Sequence, residues 1–199
     1  HGSKAIAVQV DLVSKTDVDR AVSETINEFG RVDILVNNAG TNIRKRPEEY
    51  SVEEWDFILN TNLRSAFLCS QAVYPHMKSN GGGKIINIGS MMSIFGQELV
   101  ASYGASKGGI VQLGRSLSVA WAADNIQVNS ILPGWIKTDL TAPIAKIDPA
   151  RHQNITDRIP TGRWGDPCDL AGAGVFLASH ASDYVTGVAL PVDGGYSVK

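Results

Sequence analysis

The sequence predicts an α/β fold in which a doubly wound parallel sheet carries helices on both faces. Short apolar runs, typical of strands buried on both sides, alternate along the chain with longer stretches whose apolar residues recur at helical spacing. Parallel strands need such helical crossovers, so the alternation favours a parallel sheet. The 199 residues, of which 43% are hydrophobic and 19% charged, suit one domain over residues 1–199.

Each predicted strand is an apolar or alternating run that ends at a polar or turn-forming residue. The first, AIAVQV, alternates small and β-branched residues and stops at Asp11. The runs VDILVN and KIINIG are nearly continuous, as expected for strands that are covered on both faces. The predicted strands cover residues 5–10, 32–37, 84–89, 126–132 and 188–192.

Helices are predicted where capping residues flank apolar residues at helical spacing. Residues 137–162 are interrupted by prolines, and we expect a mobile loop there with one short helix near residues 149–158. The other helices are expected between the capping residue Ser14 and the stop at Gly30, from Ser51 to just before Ser79, over residues 103–123, and from Asp166 to about Ala178.

Composition excludes several classes of protein. The formal net charge of −2 and a pI near 6.1 provide no basic field for nucleic acid or an anionic membrane. No apolar run is long enough to span a membrane and no export signal is recognisable. The four histidines are scattered, so no metal site is expected. Cys69 and Cys168 match no zinc or disulfide pattern, which favours reduced thiols in a cytoplasmic protein.

A glycine-rich phosphate-binding turn is missing from the chain. Dinucleotide-binding folds begin with a strand, such a turn, and a helix whose N-terminus holds the pyrophosphate. The run of three glycines at residues 81–83 precedes a predicted strand instead of following one. We therefore interpret it as an ordinary turn.

Tyr103 and Lys107 are four residues apart on a predicted helix and share one face of it. A nearby cation favours the phenolate and brings the pKa of a tyrosine towards the working range of an acid/base catalyst. Such a pair also arises by chance on amphipathic helices, so it needs context to indicate catalysis.

The context comes from the ends of neighbouring strands. Ser90 follows the predicted strand at residues 84–89, residues 37–40 (NNAG) end the preceding strand, and Pro133 and Gly134 end the next. Ligands of open α/β sheets bind at this edge. A hydroxyl, a phenol and an ammonium group meeting there would suit polarisation and protonation of a carbonyl oxygen.

Five motifs, in this order, resemble the short-chain dehydrogenase/reductase family over essentially the whole chain. They are NNAG at residues 37–40, Asn62 in NTNLRSAF, Ser90, YGASK at residues 103–107 and PGWIKTD at residues 133–139. The resemblance implies a Rossmann-type fold whose N-terminal strands and glycine-rich turn are missing from this chain. The segments RKRPEEYSVEEW, RIPTGRWGDP and VDGGY resemble the branch of the family that acts on sugar acids such as gluconate and deoxygluconate.

The resemblance implies hydride transfer between NAD or NADP and a secondary alcohol or ketone. Tyr103 would be the general acid/base, Lys107 would lower its pKa and bind the nicotinamide ribose, and Ser90 would bond the reacting carbonyl. Asn62 would hold a water molecule of the proton relay. The alternative for Asn62 is a polar residue inside a helix at a kink.

The resemblance also implies a set of cofactor contacts. Asp11 and Leu12 would meet the adenine, although Asp11 alone could equally be a turn residue at the end of a strand. Asn37 is expected to be structural, tying adjacent strands together. Residues that choose between NAD and NADP would lie in the missing segment, so both cofactors stay open. The remaining expected cofactor contacts are Asn38 with the adenosine ribose, Ile136 and Thr138 with the carboxamide, and Ala39, Gly40, Pro133 and Gly134 around them.

Arg44 is the predicted substrate-binding cation, together with Ser90 and Tyr103 at the reacting carbon. It follows the NNAG glycine by four residues, a position where the sugar-acid branch tends to place an arginine, and a guanidinium can hold a carboxylate through two hydrogen bonds. Because Lys45 and Arg46 follow it, the alternative is an ordinary solvated loop.

The sequence leaves two other functions open. A 3-oxoacyl-thioester reductase would use the same four catalytic residues. A catalytically silent dinucleotide-binding subunit is disfavoured, because it would have no need of the intact catalytic set. We also expect a homotetramer, since the predicted helices over residues 52–77 and 103–123 are apolar on two faces. Alternatively, loops of the same chain cover the second face.

Overall fold

Four parallel strands form one sheet in chain order in a computed structural model of the chain, which describes residues 2–139 and 141–199. Each pair of neighbours is connected in a parallel register, with Asn37 opposite Asn87 and Ile88 opposite Ile131. The carboxyl ends of the strands therefore share one edge. The strands are β1 (Ile34–Asn37), β2 (Gly83–Ile88), β3 (Ile126–Pro133) and β4 (Ala189–Val192).

Helices cover both faces of the sheet, because successive strand residues point to opposite sides. Ile85 of β2 packs with Val73 and Met77 on one face, whereas its neighbour Ile86 packs with Leu177 on the other. The predicted doubly wound sheet is confirmed. The helices are α1 (Lys15–Phe29), α2 (Val52–Leu59), α3 (Ser65–Ser79), α4 (Ala101–Trp121), α5 (Ala142–Ile147), α6 (Pro149–Arg158) and α7 (Ala171–Ala178).

The predicted strand at residues 5–10 is wrong. A strand needs a neighbouring backbone that offers hydrogen bonds, and no described backbone pairs with this segment. The segment instead contacts α1, where Arg20 donates a 2.7 Å hydrogen bond to the carbonyl of Gln9 and Lys4 pairs with Glu28. An alternating pattern alone therefore did not determine its structure.

The turn predicted at residues 81–83 is confirmed. Gly81 and Gly82 have φ values of 84° and 142°, which side chains other than glycine rarely adopt. A Cβ atom on Gly82 would also lie 2.5 Å from the carbonyl oxygen of Asn125. The turn thus needs glycine both for its backbone and for its close approach to the start of β3.

The region after β3 contains more helix than predicted. α6 coincides with the expected short helix, whereas α5 was not predicted, because six residues give too little periodicity. α6 packs through Ile155 into a cluster that also contains Ile159 and Trp164. The last helix begins later than expected, because a 3₁₀ turn at Pro167–Leu170 precedes α7. None of the described helices is both long and apolar enough to cross a bilayer.

Candidate active site

The long helix predicted after Ser51 is interrupted by a π turn. α2 ends at Leu59, residues Asn60–Arg64 form the π turn, and α3 begins at Ser65. Asn62 lies in this turn and its side chain is fully buried. Such turns occur frequently at functional sites, where they redirect a side chain from a helix. The sequence offered a kink at Asn62 as an alternative, but helical periodicity alone does not distinguish a π turn from the α-helical turns beside it.

The amide of Asn62 connects the loop after β1 to α4. Its Nδ2 donates to the carbonyl of Thr41 at 2.9 Å and to Ser106 Oγ at 3.0 Å, and its Oδ1 accepts from the Thr41 N–H at 2.8 Å. Both amide protons are therefore used. Only Oδ1 keeps acceptor capacity, so this side chain could bind a further water only as an acceptor.

Lys107 is buried beside the NNAG loop. Its Nζ donates to the carbonyl of Ile88 at 2.7 Å and lies 5.8 Å from the ring centroid of Tyr103. A Cβ on Gly40 would lie 3.3 Å from Lys107 Nζ and 3.4 Å from Asn62 Oδ1. The structure thus brings Gly40, Asn62, Tyr103 and Lys107 together at the edge predicted for the site.

Ser90 lies just beyond β2 and is connected to α4 through the side chain of Ser93. Its N–H donates to Ser93 Oγ at 3.1 Å, and Ser93 Oγ donates in turn to the carbonyl of Lys107 at 2.7 Å. Ser90 Oγ accepts from the Met92 N–H at 3.1 Å, so the hydroxyl can still donate its own proton, and it is placed to do so towards Tyr103. Ser93 and Ser106 are positioning residues that sequence reasoning missed, although Ser106 stands within YGASK.

Burial shifts the pKa values of Tyr103 and Lys107 in the directions that favour their neutral forms. It raises the pKa of Tyr103, an effect that the nearby Ser90 hydroxyl opposes, and it lowers the pKa of Lys107 to about 8. The resemblance implies a pKa of Tyr103 lowered by Lys107. In this structure the loss of hydration has the larger effect on the phenol, which therefore holds its proton at neutral pH.

The expected cofactor contacts occupy more than one region. Asp11 Oδ1 accepts from the Val13 N–H at 3.1 Å, which is the geometry of a turn residue, and no hydrogen bond among the described residues joins Asp11 to the catalytic group. Asn38 and Gly40 follow β1 directly, next to that group. Asn37 donates to Ser70 Oγ at 3.1 Å and to Asn87 Oδ1 at 2.9 Å, so it connects β1 to β2 as expected of a structural residue.

The loop after β3 offers close backbone approach. A Cβ on Gly134 would lie 2.6 Å from Asp193 Cα, so this position must be glycine to let the two backbones meet. Ile136 is buried and forms an isolated bridge with Gly165, and the Thr138 N–H donates to Thr141 Oγ1 at 3.0 Å. The loop is therefore held in a defined shape at the same sheet edge as Ser90.

Among the residues present, Lys107 in particular fits the ribose of a dinucleotide. Lys107 Nζ carries three donor positions, of which the described chain uses the one to the Ile88 carbonyl. A buried ammonium with spare donors suits the hydroxyl oxygens of a ribose. This observation supports the role of Lys107 in cofactor binding.

Of the three consecutive cations after the NNAG motif, Arg44 differs from its neighbours. Lys45 pairs with Glu54, and Arg46 pairs with Glu48 at 2.7 Å. Arg44 has no carboxylate partner within residues 2–139 and 141–199. Its pKa is lowered, chiefly by partial burial and also by the positive charge of Arg151. An ordinary solvated loop therefore accounts for Lys45 and Arg46 better than it accounts for Arg44.

Comparisons with known proteins agree with this site. A family model described as enoyl-(acyl carrier protein) reductase matches residues 1–197. The chain is 45% identical to 2-dehydro-3-deoxy-D-gluconate 5-dehydrogenase of Escherichia coli (strain K12) over 199 residues, which are 100% of this chain and 78% of that protein. It is 43% identical over 198 residues to 5-keto-D-gluconate 5-reductase of the same strain, again covering 100% and 78%.

Solved structures give the same result. A gluconate 5-dehydrogenase from Burkholderia cenocepacia J2315 in complex with NADP and tartrate superposes with a TM-score of 0.91 at 38% identity, covering 95% of this chain and 74% of that one. A short-chain type dehydrogenase/reductase from Mycobacterium marinum gives a TM-score of 0.93 at 35% identity, covering 100% and 78%.

Fold, site and comparisons together define an NAD(P)-dependent oxidoreductase that acts on CH–OH groups, built on a Rossmann-type sheet. The chain belongs to the short-chain dehydrogenase/reductase family, and the relatives that it resembles within that family include enzymes of sugar acids.

The shifted pKa of Lys107 predicts a pH-dependent stability. Between pH 8 and 10.5 the folded chain holds Lys107 neutral while the unfolded chain keeps it protonated, so the free energy of unfolding should rise with pH. The difference between an ordinary pKa of 10.5 and one of about 8 corresponds to roughly 3 kcal/mol, present as a penalty below pH 8. Urea unfolding from pH 7 to 10.5 measures the slope.

Lys107→Met should lack this component of the slope, whereas Lys146→Met, which alters an exposed lysine, should keep it. Because Tyr103 is present in all three proteins, its own titration cancels in the comparison. Parallel pH profiles for wild type and Lys107→Met would contradict the burial argument.

Proposed function

We propose that the chain interconverts a secondary alcohol and the corresponding ketone of a sugar acid, such as gluconate or a deoxygluconate, using NAD or NADP. The observation that carries the proposal is the convergence of Asn62, Ser90, Tyr103 and Lys107 at the carboxyl edge of the sheet. The names of the relatives at 45% and 43% identity support the substrate class. Residues 1–199 would act as one dinucleotide-binding oxidoreductase domain.

In the direction of ketone reduction, Tyr103 donates the proton. Its raised pKa keeps the phenol protonated at neutral pH, and the free hydroxyl proton of Ser90 is available to polarise the carbonyl oxygen. NAD(P), when bound, supplies or accepts the hydride. In the direction of alcohol oxidation, Tyr103 accepts the proton instead.

Lys107 and Asn62 support this proton transfer. With a pKa of about 8, the ammonium of Lys107 is mostly charged at pH 7 and stabilises a developing phenolate on Tyr103. Asn62 holds Thr41 and Ser106 in place and offers a remaining lone pair to a relay water. The cofactor would be held by Lys107, by Asp11 and Leu12, and by the loops at residues 38–40 and 133–138.

Arg44 is the proposed substrate-binding residue. Its loop is fixed on both sides, because the Thr41 backbone bonds Asn62 and the Lys45 N–H donates to the carbonyl of Leu99 at 3.1 Å. Leu99 lies shortly before α4, which carries Tyr103. An exposed guanidinium without a carboxylate partner in the described chain is available to bind the carboxylate of a sugar acid.

A 3-oxoacyl-thioester reductase is the second candidate, and the description of the matching family model, enoyl-(acyl carrier protein) reductase, names another activity on acyl thioesters. The two candidates differ at Arg44, since a thioester carries no carboxylate next to the reacting ketone. Turnover of sugar acids, acyl thioesters and cyclic ketones with NAD and NADP therefore separates them.

Tyr103→Phe should lower kcat by roughly 10²- to 10⁴-fold while changing cofactor affinity by only a few fold, because it removes the transferred proton and keeps the ring. Tyr184→Phe, which alters a fully exposed tyrosine, is the matched control and should behave as wild type. Steady-state kinetics and fluorescence titration with NADPH measure both quantities. Near-native turnover by Tyr103→Phe would overturn the mechanism.

Arg44→Ala should lower kcat/KM for a sugar acid about 30-fold, since a charge-assisted contact contributes about 2 kcal/mol. A neutral ketone should be spared, and Arg44→Lys should recover only part of the loss. Arg46→Ala is the control, because its cation is exposed and paired with Glu48. An equal loss on charged and neutral substrates would show that Arg44 only shapes the loop.

The proposal includes a homotetramer. Large apolar side chains stay exposed on the described helices, among them Phe57 and Val52 on α2, Phe67 on α3 and Val119 on α4. Loops of the described chain do not cover them, which supports a second copy as their partner. Light scattering should give four times 21.3 kDa for wild type and a smaller mass for Val119→Lys. A monomer at micromolar concentration would refute it.

A cytoplasmic location completes the proposal. Cys69 and Cys168 are both free, and free thiols suit a reducing compartment.

A further inference from the structure

Arg158, the last residue of α6, contacts two aromatic rings at once. Its guanidinium carbon lies 4.2 Å from the ring centroid of Tyr196 and 5.3 Å from the ring centroid of Phe95. The two rings meet edge to face, with their centroids 6.1 Å apart. Because a guanidinium is attracted to the faces of aromatic rings, this one cation holds both rings beside the end of α6.

No ion pair accounts for the position of Arg158. Among residues 2–139 and 141–199, no carboxylate lies within ion-pair distance of it, whereas the nearby Arg163 pairs with Asp169 at 2.7 Å. Tyr196 is buried and Phe95 is partly buried. The rings are therefore the contacts that the charge of Arg158 makes within the described chain.

The Tyr196 side of this contact is firmly held. The Thr161 N–H, just after α6, donates to the carbonyl of Gly194 at 3.2 Å. Lys199 Nζ donates to the carbonyl of Asp157 at 2.7 Å. These hydrogen bonds connect the end of α6 to the last residues of the chain on both sides of Tyr196, so the Arg158 side chain extends from a fixed base.

The Phe95 side of the contact belongs to the turn that carries Ser90. The Phe95 N–H donates to the carbonyl of Met91 at 2.9 Å, and the Ser93 N–H donates to the carbonyl of Ser90 at 2.9 Å. The turn is anchored to α4 at one point, through Ser93 Oγ. Through Phe95, Arg158 adds a second anchor, which connects the turn to α6.

We propose that Arg158 is a positioning residue for Ser90, because it holds the turn after β2 against α6 through the ring of Phe95. The inference rests on the proposed function, in which the Ser90 hydroxyl polarises the carbonyl oxygen beside Tyr103. Without the cation, Phe95 loses a partner and the turn keeps only its anchor on α4. Ser90 then spends less time in the productive position, and small displacements of a reacting group lower the rate strongly.

Hydrogen exchange tests whether Arg158 holds the turn. In Arg158→Met, which keeps the apolar stem and removes the guanidinium, the amides of Ser93 and Phe95 should exchange about 5-fold faster or more. Arg158→Lys keeps a cation without the flat guanidinium and should lie between Arg158→Met and wild type. The control is Arg31→Met, which alters an exposed arginine before β1 and should match wild type. Amides of β3 should be unchanged in all variants.

Kinetics test whether Arg158 acts through Ser90. With gluconate and NADP, Arg158→Met should lower kcat about 5-fold and leave the KM for NADP within about two-fold of wild type. In the Ser90→Ala background, the same substitution should change the residual kcat by less than about two-fold, because the group that it positions is gone. Arg158→Lys should recover part of the loss, and Arg31→Met should behave as wild type.

The outcomes separate this role from the proposed function. Unchanged exchange at Ser93 and Phe95, or equal acceleration in β3, would show that Arg158 does not hold the turn, and the proposed function would stand. An equal loss of kcat in the wild-type and Ser90→Ala backgrounds would likewise overturn the role of Arg158 alone. If wild type turns over neutral ketones but no sugar acid, the proposed function fails, while exchange and turnover of those ketones still decide the role of Arg158.

Discussion

The buried amide of Asn62 determines how the rest of the site is assembled. It joins the loop after β1, the π turn between α2 and α3, and α4 through three hydrogen bonds. An amide that is fully buried needs such partners, since each unsatisfied group would cost about 1–3 kcal/mol. The π turn supplies the direction that an ordinary helix would not give. Gly40 can then lie against Lys107 without a Cβ between them, so the positions of NNAG and YGASK depend on one side chain.

Burial gives this assembly its chemistry. The loss of hydration that lowers the pKa of Lys107 to about 8 also raises the pKa of Tyr103. Near pH 7 the tyrosine is therefore neutral and keeps its proton. The lysine keeps most of its charge, because its pKa is still above 7. A protonated phenol beside an ammonium is prepared to donate, and the ammonium then stabilises the phenolate that donation leaves. The Ile88 carbonyl holds the ammonium in place at 2.7 Å.

Much of the fold was predictable because its signals are local. The strands β1 to β4, the helix α6 and the turn at Gly81 and Gly82 follow from apolar runs, capping residues and glycines. The prediction of a strand at residues 5–10 was wrong, because a strand needs a backbone partner and no local sequence pattern supplies one. The π turn around Asn62 was not predicted, because helical spacing of apolar residues does not distinguish one π turn from the α-helical turns on either side of it. The candidate catalytic residues were identified through family motifs, whereas Ser93 acts through contacts that only the folded chain creates.

The cations of the loop after β1 differ in whether a carboxylate of the chain neutralises them. Lys45 and Arg46 each have a carboxylate nearby, so their charges are neutralised before any ligand arrives. Arg44 has no carboxylate partner within residues 2–139 and 141–199, so its charge stays uncompensated in the free protein. A neutral ligand leaves that charge without a partner, whereas a carboxylate neutralises it and adds bidentate hydrogen bonds. In the proposed function, an acid is therefore selected through the one cation of this loop that no carboxylate of the described chain has already neutralised.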